Sequence, residues 1–194
     1  MLALLLTGAS SVAQARESDP LQAVTRCIDS GEFHSPQKDR LPEGKTQRQV
    51  NTATGPMDVS LADGYRMMMF RQSREPFVNL KIERSAVGKF ADDRNAIMQQ
   101  LAKLSAGANP PGSVPPETAT RQGIEIASLN NPAIGTAGVI SFYTLFGGAS
   151  GTIATAYILN QAPKTRDYAD QAGYNALRDR FIDALTACMA RPAQ

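Results

Sequence analysis

The stretch Phe77-Val78-Asn79-Leu80-Lys81-Ile82-Glu83-Arg84 decides the fold. Val78, Leu80 and Ile82 point to one side of an extended chain; Asn79, Lys81 and Glu83 point to the other. A strict period of two marks a half-buried strand in an antiparallel sheet.

Working outward, Asp58–Leu61, the turn Ala62-Asp63-Gly64 and Tyr65–Arg71 read as a hairpin, with Asp-Gly as its turn signal. Arg74-Glu75-Pro76 opens the next turn. After the central strand the spacing predicts a helix capped by Asp92, with a buried stripe of Ile97, Leu101 and Leu104, Met98 alongside, and a stop at Gly107. Residues 107–117 are rich in Pro and Gly and read as loop. Three strands follow: Arg121–Leu129 with Ile124 and Ile126 on one face, then Ala137–Phe146 and Thr152–Asn160 on either side of a hairpin tip at 147–151. The last two are apolar on both faces, which predicts central positions.

Helices close both ends. Asp19 and Pro20 suit a cap and first helical position, Gln22 has capping-box spacing, Leu21, Val24 and Ile28 form the stripe, and Gly31 is the stop. Residues 34–56 are polar, with a short strand expected around Gln47–Thr52. From about Asp167 to Met189, Tyr174, Leu177, Phe181, Leu185 and Cys188 fall at helical spacing. The expected class is α+β: about six antiparallel strands flanked by helices, in the order α-β-β-β-α-β-β-β-α. One domain over 16–194 is expected, divided into an N-terminal helix and polar loop (16–56) and a sheet-and-helix body (57–190).

Cys27 and Cys188 are the chain's two cysteines and lie near its ends, each on or beside an apolar stripe. Their placement predicts a disulfide joining the first helix to the last, and neither has the C-x-x-C spacing of redox catalysis. Residues 1–15 carry no charge, hold the apolar run Leu2–Leu6 and end in Ala13-Gln14-Ala15, the pattern of a signal peptide cleaved after Ala15. The positive n-region is missing, as expected if the true start lies upstream of Met1. Ala9 stands where a lipoprotein box needs Cys. No segment approaches the ~20 apolar residues of a membrane span. A net charge of +2 leaves no electrostatic footprint for nucleic acid. A periplasmic or secreted bacterial location is expected.

Four segments together resemble the PsbP-like family in element order: Phe77–Ser85, Asp92–Ser105, Val139–Leu159 and Tyr174–Met189. The family's aromatic turn before the second strand is represented by Gly64-Tyr65, and the helix carrying Cys27 lies outside the pattern. The resemblance implies an α-β-α sandwich around an antiparallel sheet, and a binding, chaperone or accessory role.

Catalytic motifs are approached but not completed. Gly148-Ala149-Ser150-Gly151-Thr152 misses the last Gly of a nucleophile elbow and lies between strands. Gly44-Lys45-Thr46 lacks the leading Gly of a phosphate loop, Asp39 standing there. Ser35-Pro36-Gln37-Lys38 fits S-x-x-K without its companion motifs. Met67-Met68-Met69 alternate across a strand, so the three cannot converge on a metal. Asp92-Asp93, Asp167 and Asp170 read as helix-terminal acids. His34, alone in a polar loop, reads as solvated. No catalytic, cofactor or metal residue is assigned.

The expectation is therefore an exported, non-enzymatic periplasmic binding protein. It would act through contacts with another protein: an envelope component, a toxin or a secretion-system subunit. Its contact surfaces would be 34–56, 107–117 and 147–151, because loops on a rigid scaffold carry function. The alternative is an envelope enzyme or small-ligand carrier with a site of dispersed residues.

Overall fold

Apolar stripes on three helices and alternation along the strands bring the chain into layers around one sheet. The structure is a computed structural model that describes residues 19–42, 48–107, 116–130 and 138–191. In chain order these form α1 (Pro20–Asp29), β1 (Lys38–Leu41), β2 (Gln49–Thr52), β3 (Gly55–Asp58), β4 (Leu61–Met69), β5 (Val78–Ser85), α2 (Phe90–Gly107), β6 (Glu117–Arg121), β7 (Ile124–Asn130), β8 (Gly138–Gly147), β9 (Thr152–Asn160) and α3 (Gln171–Ala190). Seven strands make one antiparallel sheet in the order β1-β4-β5-β9-β8-β7-β6, and β2 and β3 pair separately. The α+β class holds, with more strands than the six expected.

The central strand behaves as its alternation requires. Val78, Leu80 and Ile82 of β5 are fully buried on one face, where they join Met67, Met69, Leu145, Ala154, Ala156 and Ile158 beneath α1 and α3. The whole α3 stripe, Tyr174 through Cys188, is buried there. Five rings interlock in the same layer; Phe33 meets Phe181 edge-on with centroids 5.0 Å apart, and Tyr168 meets Tyr174 at 5.2 Å. Each buried ring or branched side chain contributes about 1.5–3 kcal/mol by leaving water. A helix of 10 residues such as α1 is marginal alone. It is held by its buried Leu21, Val24 and Ile28 and by the Cys27–Cys188 disulfide, whose Cα atoms lie 5.7 Å apart.

The opposite face carries α2 and the β2–β3 hairpin. Val50, Val59, Leu61, Ala96, Ile97 and Leu101 form a second core there with Ala127, Phe146 and Ile153. β9 and β8 are interior strands, as their apolar character predicts.

Several local readings are corrected. Asp63-Gly64 is not a turn: β4 runs through it, with a bulge between Leu61 and Asp63. Gly64 is there for room, since a Cβ would lie 2.5 Å from the Ile82 carbonyl oxygen and 2.8 Å from Glu83 Cγ. The tight hairpin lies earlier, at Ala53-Thr54 between β2 and β3. Arg121–Leu129 is not one strand but the end of β6 and most of β7, joined at Gln122-Gly123. Both turn residues have positive φ, 52° and 77°, as a type I′ turn requires. Leu104 is exposed, and the buried stripe of α2 runs through Asp93, Ala96, Ile97, Leu101 and Ser105 instead.

Helix ends differ too. Asp92 lies inside the first turn of a helix that starts at Phe90. Asp19 caps α1 as read, and the helix stops before Gly31 with Ser30 as its C-cap, but Gln22 bonds Arg26 rather than closing a capping box. Asp170 caps α3, whereas Asp167 accepts a hydrogen bond from the Gln72 amide.

Candidate functional site

Alternation that buries Val78, Leu80 and Ile82 beneath α1 and α3 sends Asn79, Lys81 and Glu83 to the α2 face. Register then defines three rows across that face. The first is Gly64, Glu83, Ile153, Phe146 and Glu125. The second is Arg66, Lys81, Thr155, Thr144 and Ala127. The third is Met68, Asn79, Tyr157, Phe142 and Leu129.

α2 covers the first row and the β7–β8 side. Arg94 clamps it there with two hydrogen bonds to the Glu125 carboxylate, and its guanidinium lies 5.9 Å from the Phe146 ring centroid. On β4, β5 and β9 the second and third rows stay in reach of solvent: Arg66 is exposed, and Met68, Asn79, Lys81 and Thr155 are half-buried. Tyr157 is 38% exposed, one of few large apolar side chains so placed among the described residues.

The chemistry of this patch is mixed. Lys81 Nζ lies 2.8 Å from Glu83 Oε1. Glu83 is 3% exposed and occupies the space left by Gly64. Arg66 sits directly across from Lys81 and forms no ion pair with the described residues, so a second cation faces solvent beside the first. Tyr157 packs edge-on against Phe142 with centroids 4.7 Å apart. Burial raises the Tyr157 phenol pKa, and the Glu83 carboxylate adds to that shift. The phenol therefore stays neutral at physiological pH and both donates and accepts hydrogen bonds. Thr144, fully buried at the edge of the patch, has no hydrogen-bond partner for Oγ1 among the described residues. Above the first row, Asp93 of α2 accepts the Ser60 amide at 2.6 Å through Oδ1, while its buried Oδ2 has no hydrogen-bond partner there.

None of the sequence candidates falls in this patch except Met68. Met67 and Met69 are buried on the α1–α3 face, so the methionines diverge as the alternation requires. His34 is exposed and pairs by backbone with Phe70. Ser35 bonds the Gln37 carbonyl while Lys38 pairs with Asp29, so the two do not form a catalytic couple. Ser150 bonds the Gly147 carbonyl within the hairpin tip. Gly44-Lys45-Thr46 and most of 107–117 lie outside the described residues. The polar stretch 34–56 supplies the strand expected near Gln47–Thr52 as β2, and in addition β1 and the start of β3. No group of three metal-ligating side chains occurs among the described residues, and both cysteines are spent in the disulfide.

Apart from Met68, the patch residues are polar or aromatic members of alternating strands. Asn79, Lys81 and Glu83 were legible as a shared face; their company with Tyr157 and Phe142 required the strand order. No protein-family model matches the chain, and no curated protein or solved structure matches it significantly.

Proposed function

We propose that the chain is an exported binding protein that takes a partner protein on the open half of its α2 face. The observation that carries this reading is the side-by-side placement of Arg66, Lys81, Asn79 and the half-exposed Tyr157–Phe142 pair on four adjacent strands. Tyr and Arg are the residue types that anchor protein contacts, because they combine apolar area with directed hydrogen bonds. Arg66, beside the Lys81–Glu83 pair and without an ion-pair partner among the described residues, favours a partner segment with acidic groups. The disulfide supports an oxidising compartment, and residues 1–15 supply an export signal cleaved after Ala15. The resemblance in element order to the PsbP-like family points to the same class of role.

The test is site-specific photo-crosslinking in the periplasm, with the reactive residue at Tyr157 and, as a control, at the exposed Arg26 of α1. A discrete cross-linked partner from position 157, lost when Arg66→Glu is added, is expected. Equal labelling from both positions would contradict the proposal. N-terminal sequencing of the exported protein should begin at Arg16.

A small-ligand carrier is the second reading, favoured by Asp93 Oδ2 and Thr144 Oγ1, buried beside the same face and without a hydrogen-bond partner among the described residues. Native mass spectrometry of the purified protein decides it. A co-purifying small molecule, with no cross-link from 157, moves the function to ligand carriage.

A further inference from the structure

The two edges of the seven-stranded sheet are built differently. β1 (Lys38-Asp39-Arg40-Leu41) lies between Pro36 and Pro42, and its cations are engaged within the chain: Lys38 with Asp29, Arg40 with Asp63 and the Tyr65 hydroxyl. Prolines and engaged charges are how a sheet edge is guarded against further pairing. β6 (Glu117-Thr118-Ala119-Thr120-Arg121) has an uncharged centre, and all five residues are exposed.

β6 pairs with β7 through a two-residue turn that closes on Arg121 and Ile124. Such a turn makes its closing pair a hydrogen-bonded one, and the bonding alternates along the strand. The backbone groups of Arg121, Ala119 and Glu117 are thereby directed at β7. Those of Thr118 and Thr120 are directed outward.

The sequence of this edge is complementary to itself read backwards. Set two copies antiparallel about a two-fold axis through Ala119. Thr118 then faces Thr120 of the other copy, and their outward N–H and C=O groups exchange four backbone hydrogen bonds. Glu117 faces Arg121 of the other copy at both ends. These flanking pairs are non-hydrogen-bonded ones, the kind that brings side chains closest. Thr–Thr and opposite-charge pairs are favoured across antiparallel strands. Glu117 and Arg121 share a sheet face by parity, and Arg121, half-exposed beside Asp183 of α3, has room to receive a second carboxylate. Sliding the register by a residue or two breaks both ion pairs, and Pro116 and the turn at Gln122 limit the ladder at its ends.

We infer that β6 is the contact edge of a symmetric dimer of this chain, joined by antiparallel β6–β6 pairing centred on Ala119 into one continuous sheet. The interface is self-complementary in the manner a two-fold axis demands. It is also small, below the size of standard stable interfaces, so the dimer is concentration-dependent. This inference is independent of the partner proposed for the α2 face.

The experiment is sedimentation equilibrium of the full disulfide-bonded chain over a concentration series, for wild type, Glu117→Arg, Arg121→Glu and the double exchange. Each single variant places two like-charge pairs at the axis and should weaken dimerisation at least about tenfold. The double exchange, or a mixture of the two single variants, restores opposite charges and should recover wild-type association within about threefold. As an independent readout, Ala119→Cys sits on the axis at a Cα separation suited to a disulfide and should form covalent dimers under mild oxidation, while Val87→Cys, also exposed, should not. Circular dichroism confirms that each variant folds. A monomer at all concentrations, single reversals without effect, or Ala119→Cys no faster than Val87→Cys would overturn the inference. So would capture of a foreign strand on β6 by a protein that stays monomeric.

Discussion

The two faces of the sheet differ in what they bury. Beneath α1 and α3 lie rings, methionines and branched aliphatics, closed by a disulfide. Beneath and beside α2 a smaller apolar core is joined by Glu83, Asp93 and Thr144, a glycine kept small for a carboxylate, and a half-exposed aromatic pair. A protein interior is stabilised most by dry, interlocking packing, and a buried polar group is costly unless fully bonded. The first face therefore holds most of the fold together, and the second, beside its smaller core, carries groups that stability alone does not require. Substitutions on the two faces should separate these two roles.

The largest effect is expected at Phe181→Ala, which empties a fully buried site against Phe33; urea unfolding should show a loss of about 3–5 kcal/mol. Next comes opening the disulfide by Cys27→Ser with Cys188→Ser. The closed loop spans 161 residues, and the expected loss is about 2–5 kcal/mol. If either change cost less than a typical surface substitution, the first face would not be the holding one.

On the second face Gly64→Ala sharpens the comparison. The new methyl meets backbone at 2.5 Å, so a loss of about 1–3 kcal/mol is expected in the same unfolding assay. A smaller, pH-dependent contrast comes from two carboxylates. Hydrogen bonds from Arg180 and Arg71, working against burial, hold Glu32 below its usual value of 4.5. The hydrogen bonds from Arg94 do the same for Glu125, again against a smaller burial effect. A depressed carboxylate stabilises above its unfolded pKa, and that stability is lost as the pH falls through the lower folded value. Unfolding midpoints should therefore drop below about pH 4.5, and Glu32→Gln or Glu125→Gln should each flatten that drop by less than about 1 kcal/mol.

What the sequence showed depended on how strongly a period was written. β5, the β8–β9 hairpin and α3 pair a clear period with apolar residues, and all three fall where they were read. β1 and β6 are short, exposed edge strands whose Lys, Asp, Glu, Arg and Thr residues carry no burial pattern, so pairing with β4 and β7 alone defines them. Asp63-Gly64 misled because glycine serves two purposes, positive φ and absence of a Cβ, and here it serves the second. Leu104 misled because α2 meets the sheet along Asp93, Ala96 and Leu101, a stripe that includes a buried carboxylate no hydrophobic period would include. The candidate site was half legible: alternation placed Asn79, Lys81 and Glu83 together, but Tyr157 and Arg66 reach them only through the order β4-β5-β9.

The most direct test of the division between faces is Tyr157→Ala, scored at once for melting temperature and for partner capture from envelope extract. If the faces divide in this way, the melting temperature falls by less than about 4 °C and the partner identified by cross-linking from position 157 is no longer captured. A melting temperature lowered as far as by Phe181→Ala, or capture left unchanged, would contradict that division.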